Sequence, residues 1–213
     1  MKSKILETYP LSEYPEAKYL TENSPVIYIA DFSERTKGDR GVEVYTESPL
    51  TPDGAQTMDC LTLTNEEQLN IDFSIFDDHQ FKQEGKDKDD SHCECCFFLS
   101  DSDEKSWISF VEIKDCKPKN VLSYKEKVKE QILSTVSHFK KREIIAESKR
   151  IYGIISFPRR NKVAFNDYIF RTHQEILEMR KKYGILFLKH KKLQLILLLL
   201  MFHLLMLIML LVM

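Results

Sequence analysis

The chain has 213 residues, 43% of them hydrophobic and 30% charged, with a formal net charge of −2. That length and apolar content support one large folded domain or two small ones and exclude disorder throughout. The near-neutral balance hides an asymmetry: residues 1–104 hold 9 basic and 24 acidic side chains, whereas residues 105–192 hold 22 and 9. Such a division sets a half that approaches polyanions against one that does not, although a merely solvated basic surface explains the charge count equally well.

Residues 1–15 mix Glu7 and Glu13 with isolated apolar residues and contain no apolar stretch of signal-peptide type, so a cytoplasmic location is expected. Five cysteines, Cys60, Cys93, Cys95, Cys96 and Cys116, are an odd number in such a setting and read as reduced thiols.

Residues 1–82 read as a β-rich region. Strands are expected over Val26 to Phe32, Gly41 to Thr46, Cys60 to Leu63 and Leu69 to Ile75, punctuated by Pro25, Gly38, Pro49, Pro52 and Gly54. An acidic loop over 83–92 contains the wholly polar run Gln83 to Asp90 and marks the expected internal boundary.

From 93 to 189 the pattern becomes that of an α/β unit. Cys93 to Leu99 and Trp107 to Ile113 are apolar runs joined by a turn, a hairpin whose strands are covered on both faces. Ser123 and Glu126 form a capping box ahead of Val128, Ile132, Val136 and Phe139, predicting a helix that runs to about Glu147. Ile151 to Phe157 is the next strand. Ile169, Thr172, Ile176, Met179 and Tyr183 keep helical spacing until Gly184, and Ile185 to Leu188 is a last short strand. The expected order is therefore hairpin, helix, strand, helix, strand.

The chemistry-bearing residues lie on the hairpin. Glu112 and Lys114 are two apart and leave the same face of the sheet. If the hairpin pairs directly, Glu94 comes near Glu112, and the two carboxylates offer oxygen ligands to Mg2+ or Mn2+. Lys114 then stands beside the metal, placed to stabilise phosphoryl charge or orient a water. The bland alternative is an ion pair between Glu112 and Lys114 at a strand end. A competing soft-metal reading takes His92, Cys93, Cys95, Cys96 and Cys116 as zinc ligands. Strand alternation, which sends Cys93 and Cys95 to one side and Cys96 to the other, argues against it.

Cys93-Glu94-Cys95-Cys96 followed by Phe110-Val111-Glu112-Ile113-Lys114 and then a helix resembles the PD-(D/E)xK nuclease superfamily, the restriction-endonuclease-like fold. The resemblance covers about 93–188. It implies that Glu94 and Glu112 hold the metal, that Lys114 is the catalytic lysine, and that Gln131 is the glutamine many relatives carry on the following helix. The chain departs from the family pattern in having Glu94 where Asp is commoner, in Cys93 where Pro precedes, and in lacking an obvious upstream helical acid. Glu66 or Glu67 could serve, but 65–68 looks like a turn.

Nucleic acid is the expected partner, with Lys125, Lys129, Arg159, Arg160 and Lys162 foremost among the residues that could contact phosphates. The rival function is a non-catalytic nucleic-acid-binding or scaffolding module of the same fold. Leu193 to Met213 is apolar enough to span a bilayer, and Lys189, Lys191 and Lys192 precede it. It reads equally as a tail anchor holding a cytoplasmic domain or as an extension on a domain complete near Leu188.

Overall fold

The computed structural model describes residues 1–31, 41–50, 54, 57–81, 91–101, 106–114, 121–158, 173–189 and 192–194. In chain order the elements are α1 (Lys2–Thr8), β1 (Lys18–Glu22), β2 (Val26–Asp31), β3 (Val42–Tyr45), β4 (Leu61–Thr64) and β5 (Ile71–Ile75), followed by a 3-10 turn over Asp78–Phe81. Then come β6 (Cys95–Leu99), β7 (Trp107–Ile113), α2 (Val121–Lys141), β8 (Arg150–Ser156), α3 (His173–Tyr183), β9 (Ile185–Lys189) and β10 (Lys192–Gln194). The protein is mixed α/β, and the hairpin, helix, strand, helix, strand order holds between β6 and β9.

Two sheets form. The larger has six strands in the order β1-β5-β6-β7-β8-β9, and the smaller has four in the order β10-β4-β2-β3. In the large sheet the pairs β1–β5, β5–β6 and β6–β7 are antiparallel, while β8 joins β7 and β9 joins β8 in parallel through helical crossovers. Strand pairing crosses the acidic loop, since β5 lies against β6 with Phe73 opposite Phe97. Residues before the loop therefore build part of the sheet that carries Glu112.

Each face of the large sheet is buried for its own reason. Ile108, Phe110, Cys96 and Phe98 point to the side covered by α2, where Val128, Ile132, Val136 and Phe139 repeat at helical spacing. Phe97, Val111, Ile113 and Ile154 point to the other side and meet Ile27, Ile29, Leu61 and Leu63 of the small sheet. Gly153 of β8 lets the Phe187 ring approach, since a Cβ there would lie 2.8 Å from two ring carbons. Gly184 closes α3 in the left-handed region at φ +72, as its place after Tyr183 predicts.

Several expectations need correction. Helix α2 begins at Val121, so Ser123 lies inside the helix and not at its cap, and it ends at Lys141, before Glu147. The stop falls where Glu143 takes a positive φ of 54 and Ile144 turns back to bond the Phe139 carbonyl oxygen. Helix α1 and strand β1 carry no sequence signal strong enough to have been expected. The predicted second helix begins at His173 among the described residues; Ile169 and Thr172 lie outside them. The apolar stretch does not start as a separate tail, because Leu193 and Gln194 pair in parallel with Leu63 and Thr64 of β4. Residues 195–213 lie outside the described residues, and no helix among the described ones is long and apolar enough to cross a membrane.

Candidate functional site at the end of the hairpin

Strand β7 alternates Ile108 and Phe110 onto the helix-covered face, and Glu112 follows them there by the two-residue period. Lys114 continues the strand direction, its N–H donating to the Ser156 carbonyl oxygen at 3.0 Å. Glu94 sits one residue before β6 and is drawn to β7 by its N–H, which donates to the Val111 carbonyl oxygen at 3.0 Å. These backbone bonds bring three charged side chains together. Lys114 Nζ lies 2.7 Å from Glu112 Oε1 and 3.0 Å from Glu94 Oε1.

Burial makes the cluster costly and therefore informative. The Glu112 side chain is 0% exposed, Glu94 is 7% and Lys114 is 18%. Burial works to lower the Lys114 pKa, but Glu112 and then Glu94 outweigh it and hold the ammonium above its ordinary range. An ammonium held in this way can stabilise negative charge. Among the described ion pairs, two carboxylates share this one ammonium. An all-oxygen donor set with an excess of buried negative charge suits a hard divalent cation, and magnesium in particular binds through one or two carboxylates while keeping several waters. Among the described residues, no group of three His, Cys, Asp or Glu side chains is gathered around a single point in metal-binding fashion. Any cation here would take its remaining ligands from water or substrate.

Gln131 does not share the ion pairs. Its amide nitrogen donates to the His92 carbonyl oxygen at 2.8 Å, and one turn later Thr135 Oγ1 accepts from the Cys93 N–H at 2.9 Å. Helix α2 thereby grips the two residues ahead of Glu94, which makes Gln131 a positioning residue for the site. His92 is fixed as well, stacked on Phe81 and bonded through its ring nitrogens to Asp78 Oδ1 and the Cys93 carbonyl oxygen.

A cavity of about 220 Å³ opens beside Glu94, lined also by Glu16, Lys18, Glu43, Phe76 and Asp78. Lys18 is ion-paired with Glu43. The buried Asp77 accepts the Glu16 N–H at 3.1 Å and so sets the loop that carries Glu16. Sequence reading missed these acids, because Glu16, just before β1, and Glu43, on β3 of the small sheet, come beside Glu94 only through long-range tertiary arrangement that no local pattern encodes. Glu66 and Glu67, considered as upstream acids, stand exposed in the turn that Gln68 closes onto the Asn65 carbonyl oxygen.

The cysteines divide differently from the simple alternation. Cys93 and Cys96 enter the helix-side core and Cys95 the sheet-side core, because β6 begins only at Cys95 and the chain bends at Glu94. Cys60, Cys93, Cys95 and Cys96 are buried. Burial pushes the thiols of Cys93, Cys95 and Cys96 upward, opposing the thiolate that zinc needs. Cys116 lies outside the described residues, as do Arg159, Arg160 and Lys162 and the side chain of Lys125. Lys129, expected to contact phosphate, is buried and ties α2 to α3 through Glu175 at 3.0 Å, with Glu126 at 3.4 Å. Comparison with protein-family models, with curated proteins and with solved structures finds no match to this chain.

Proposed function

We propose that the chain is a divalent-metal-dependent nuclease that hydrolyses phosphodiester bonds of DNA or RNA. The observation that carries this reading is the meeting of Glu94, Glu112 and Lys114 at the end of a hairpin, each within an ion-pair distance of the shared ammonium. The order hairpin, helix, strand, helix, strand around them is the one implied by the resemblance to restriction-endonuclease-like proteins.

Glu94 and Glu112 would hold Mg2+ or Mn2+. When bound, such an ion polarises the phosphate and lowers the pKa of a coordinated water. Lys114, kept protonated by its neighbours, faces the negative charge that grows on the phosphoryl oxygens during attack, and its burial strengthens that interaction relative to water. Gln131 and Thr135 hold the backbone before Glu94 so that the carboxylate keeps its aim. The basic second half draws the polyanion in, with an affinity that falls as salt rises.

The test is cleavage of mixed DNA and RNA by the full chain in magnesium or manganese. Glu112→Gln keeps the shape and removes a charge that a hard cation requires, so activity should drop by at least about 100-fold while nucleic-acid binding and the circular dichroism spectrum persist. If the wild-type protein cuts nothing and gains no thermal stability from either metal, the non-catalytic binding module becomes the better reading.

A further inference from the structure

The C-terminal half of α2, the last turn of α3 and the start of β9 enclose a groove of about 270 Å³. Its floor is apolar: Leu133 and Val136, three apart and so on one face of α2, meet Tyr183 and Ile185. Its rim is cationic, with Lys140 and Lys141 from α2 and Lys182 from α3, and among the described residues that line it none is acidic. The turn at Gly184 sets the α3 side, its N–H donating to the Arg180 carbonyl oxygen at 2.8 Å, and Lys182 Nζ stands 4.9 Å from the centre of the Tyr183 ring. Lys141 and Lys182 are exposed. Lys140 meets the largely exposed Glu147 at 3.5 Å, a surface pair of the kind that holds weakly against a competing anion. The two helix ends add about half a negative charge each, which three ammoniums outweigh.

We propose that this groove binds single-stranded nucleic acid, a base lying on the Tyr183 floor while the phosphates on either side of it meet Lys140, Lys141 and Lys182. An apolar floor inside a cationic rim matches a strand whose bases are unpaired and free to stack on an aromatic ring. A duplex presents sugar and phosphate on its outside and keeps its bases stacked within, so it has no apolar face to lay on Tyr183. A partner helix would need apolar anchors repeated over several turns, whereas the α2 stripe gives Leu133 and Val136 and then turns polar at Ser137 and Lys140. Resting on the nuclease reading, the groove narrows the substrate to one that is at least partly single-stranded. Along α2, Lys140 stands nine residues beyond Gln131, which grips the chain ahead of Glu94. At about 1.5 Å per residue that is roughly 14 Å along the helix axis, the span of about four nucleotides of one strand. A strand held here therefore extends a few nucleotides from the carboxylate cluster.

The experiment uses the full chain with chelator present, so that binding is read without cleavage. Fluorescence anisotropy of labelled mixed-sequence oligonucleotides, DNA and RNA, single-stranded and duplex, is followed across a salt series for wild type, Lys140→Gln/Lys141→Gln/Lys182→Gln and Tyr183→Leu. The triple variant should bind the single strand at least about 10-fold more weakly, with a log-log salt slope smaller by about 0.7 for each lost contact. Tyr183→Leu keeps the floor apolar but removes the ring, and should weaken single-strand binding by about 5- to 100-fold with the salt slope and duplex binding unchanged. Single-strand binding by either variant equal to that of wild type overturns the proposal. So does polyglutamate that displaces the single strand as well as an unlabelled oligonucleotide of equal charge, since the groove would then take acidic peptide equally. Tyr183 packs on the core, so if Tyr183→Leu fails to fold, Lys141→Gln/Lys182→Gln, both at exposed positions, carries the test with the same expected direction. Cleavage in magnesium is scored separately. Cleavage by wild type with unaltered binding in every variant removes the groove and keeps the nuclease, whereas groove-dependent binding without cleavage keeps the groove on a non-catalytic module.

Discussion

The two faces of the six-stranded sheet are buried by different partners and filled by different side chains. On the helix side, aromatic rings close the wedge between helix and sheet: Phe139 meets Phe110 at 5.1 Å, Phe76 at 5.7 Å and Tyr9 at 6.3 Å between ring centres. On the side of the small sheet, Ile27, Ile29, Leu61 and Leu63 interdigitate with Val111, Ile113 and Ile154, as two pleated surfaces require. Only the first face carries the charged cluster. A helix meeting a twisted sheet leaves room at the strand ends, and there Glu94, Glu112 and Lys114 can face one another.

The largest effect should come from breaking that cluster. Lys114→Ala leaves two buried carboxylates opposed, at a cost of about 3–5 kcal/mol measured by urea unfolding in chelator at neutral pH. Millimolar magnesium should restore more stability to this variant than to wild type, and equal responses would count against a metal role for the two glutamates.

Within the cores, Phe139→Ala should cost about 3–5 kcal/mol and Ile29→Ala about 2–4 kcal/mol, since the ring loses more contacts and leaves the larger void. A larger loss at Ile29 would reverse the ranking of the two faces. Gly153→Ala sharpens the same contrast. It forces a Cβ against the Phe187 ring and, at 3.2 Å, Ile132 Cγ2, and should cost about 1–3 kcal/mol.

The smallest effect is alkaline. Burial pushes Tyr9 from 10.0 up to about 12, and its hydroxyl has no hydrogen-bond partner among the described residues. A group with a raised folded pKa contributes stability fully below its unfolded pKa and loses it as pH rises through the folded one. Stability should therefore fall from about pH 10 toward 12, and Tyr9→Phe should flatten part of that fall with little change at pH 7. Lys114 adds to the decline above its ordinary lysine range, so a residual slope in Tyr9→Phe is expected.

Local signals carried much of the architecture. The apolar runs of β6, β7 and β8, the helical spacing of Val128 to Phe139 and the Gly184 stop are all decided within a few residues of themselves, and the structure has those elements. Helix α1 gave no warning because it is seven residues long with Ile5 as its one buried residue and no acid in its first turn. Strand β1 reads exposed, half-buried, half-buried, exposed, half-buried, which is no alternation at all. In the candidate site, the spacing of Glu112 and Lys114 was visible because period two is a property of any strand. The cavity acids Glu16, Glu43 and Asp78 were not, since they arrive from the loop before β1, from β3 of the small sheet and from the 3-10 turn after β5, segments far apart in the chain.

The parallel pairing of β10 with β4 has a consequence for the order of assembly. Leu193 is the partner of Leu63, so β4 waits through some 130 residues of synthesis before its second neighbour exists. Until then one side of β4 is an open hydrogen-bonding edge flanked by the apolar side chains of Leu61 and Leu63, the kind of edge that recruits foreign strands. On the ribosome, the small sheet is therefore the later of the two described sheets to be sealed. A chain cut between Lys189 and Lys192 would keep every strand of the large sheet while leaving that edge permanently unsealed, and it should aggregate through β4 during expression.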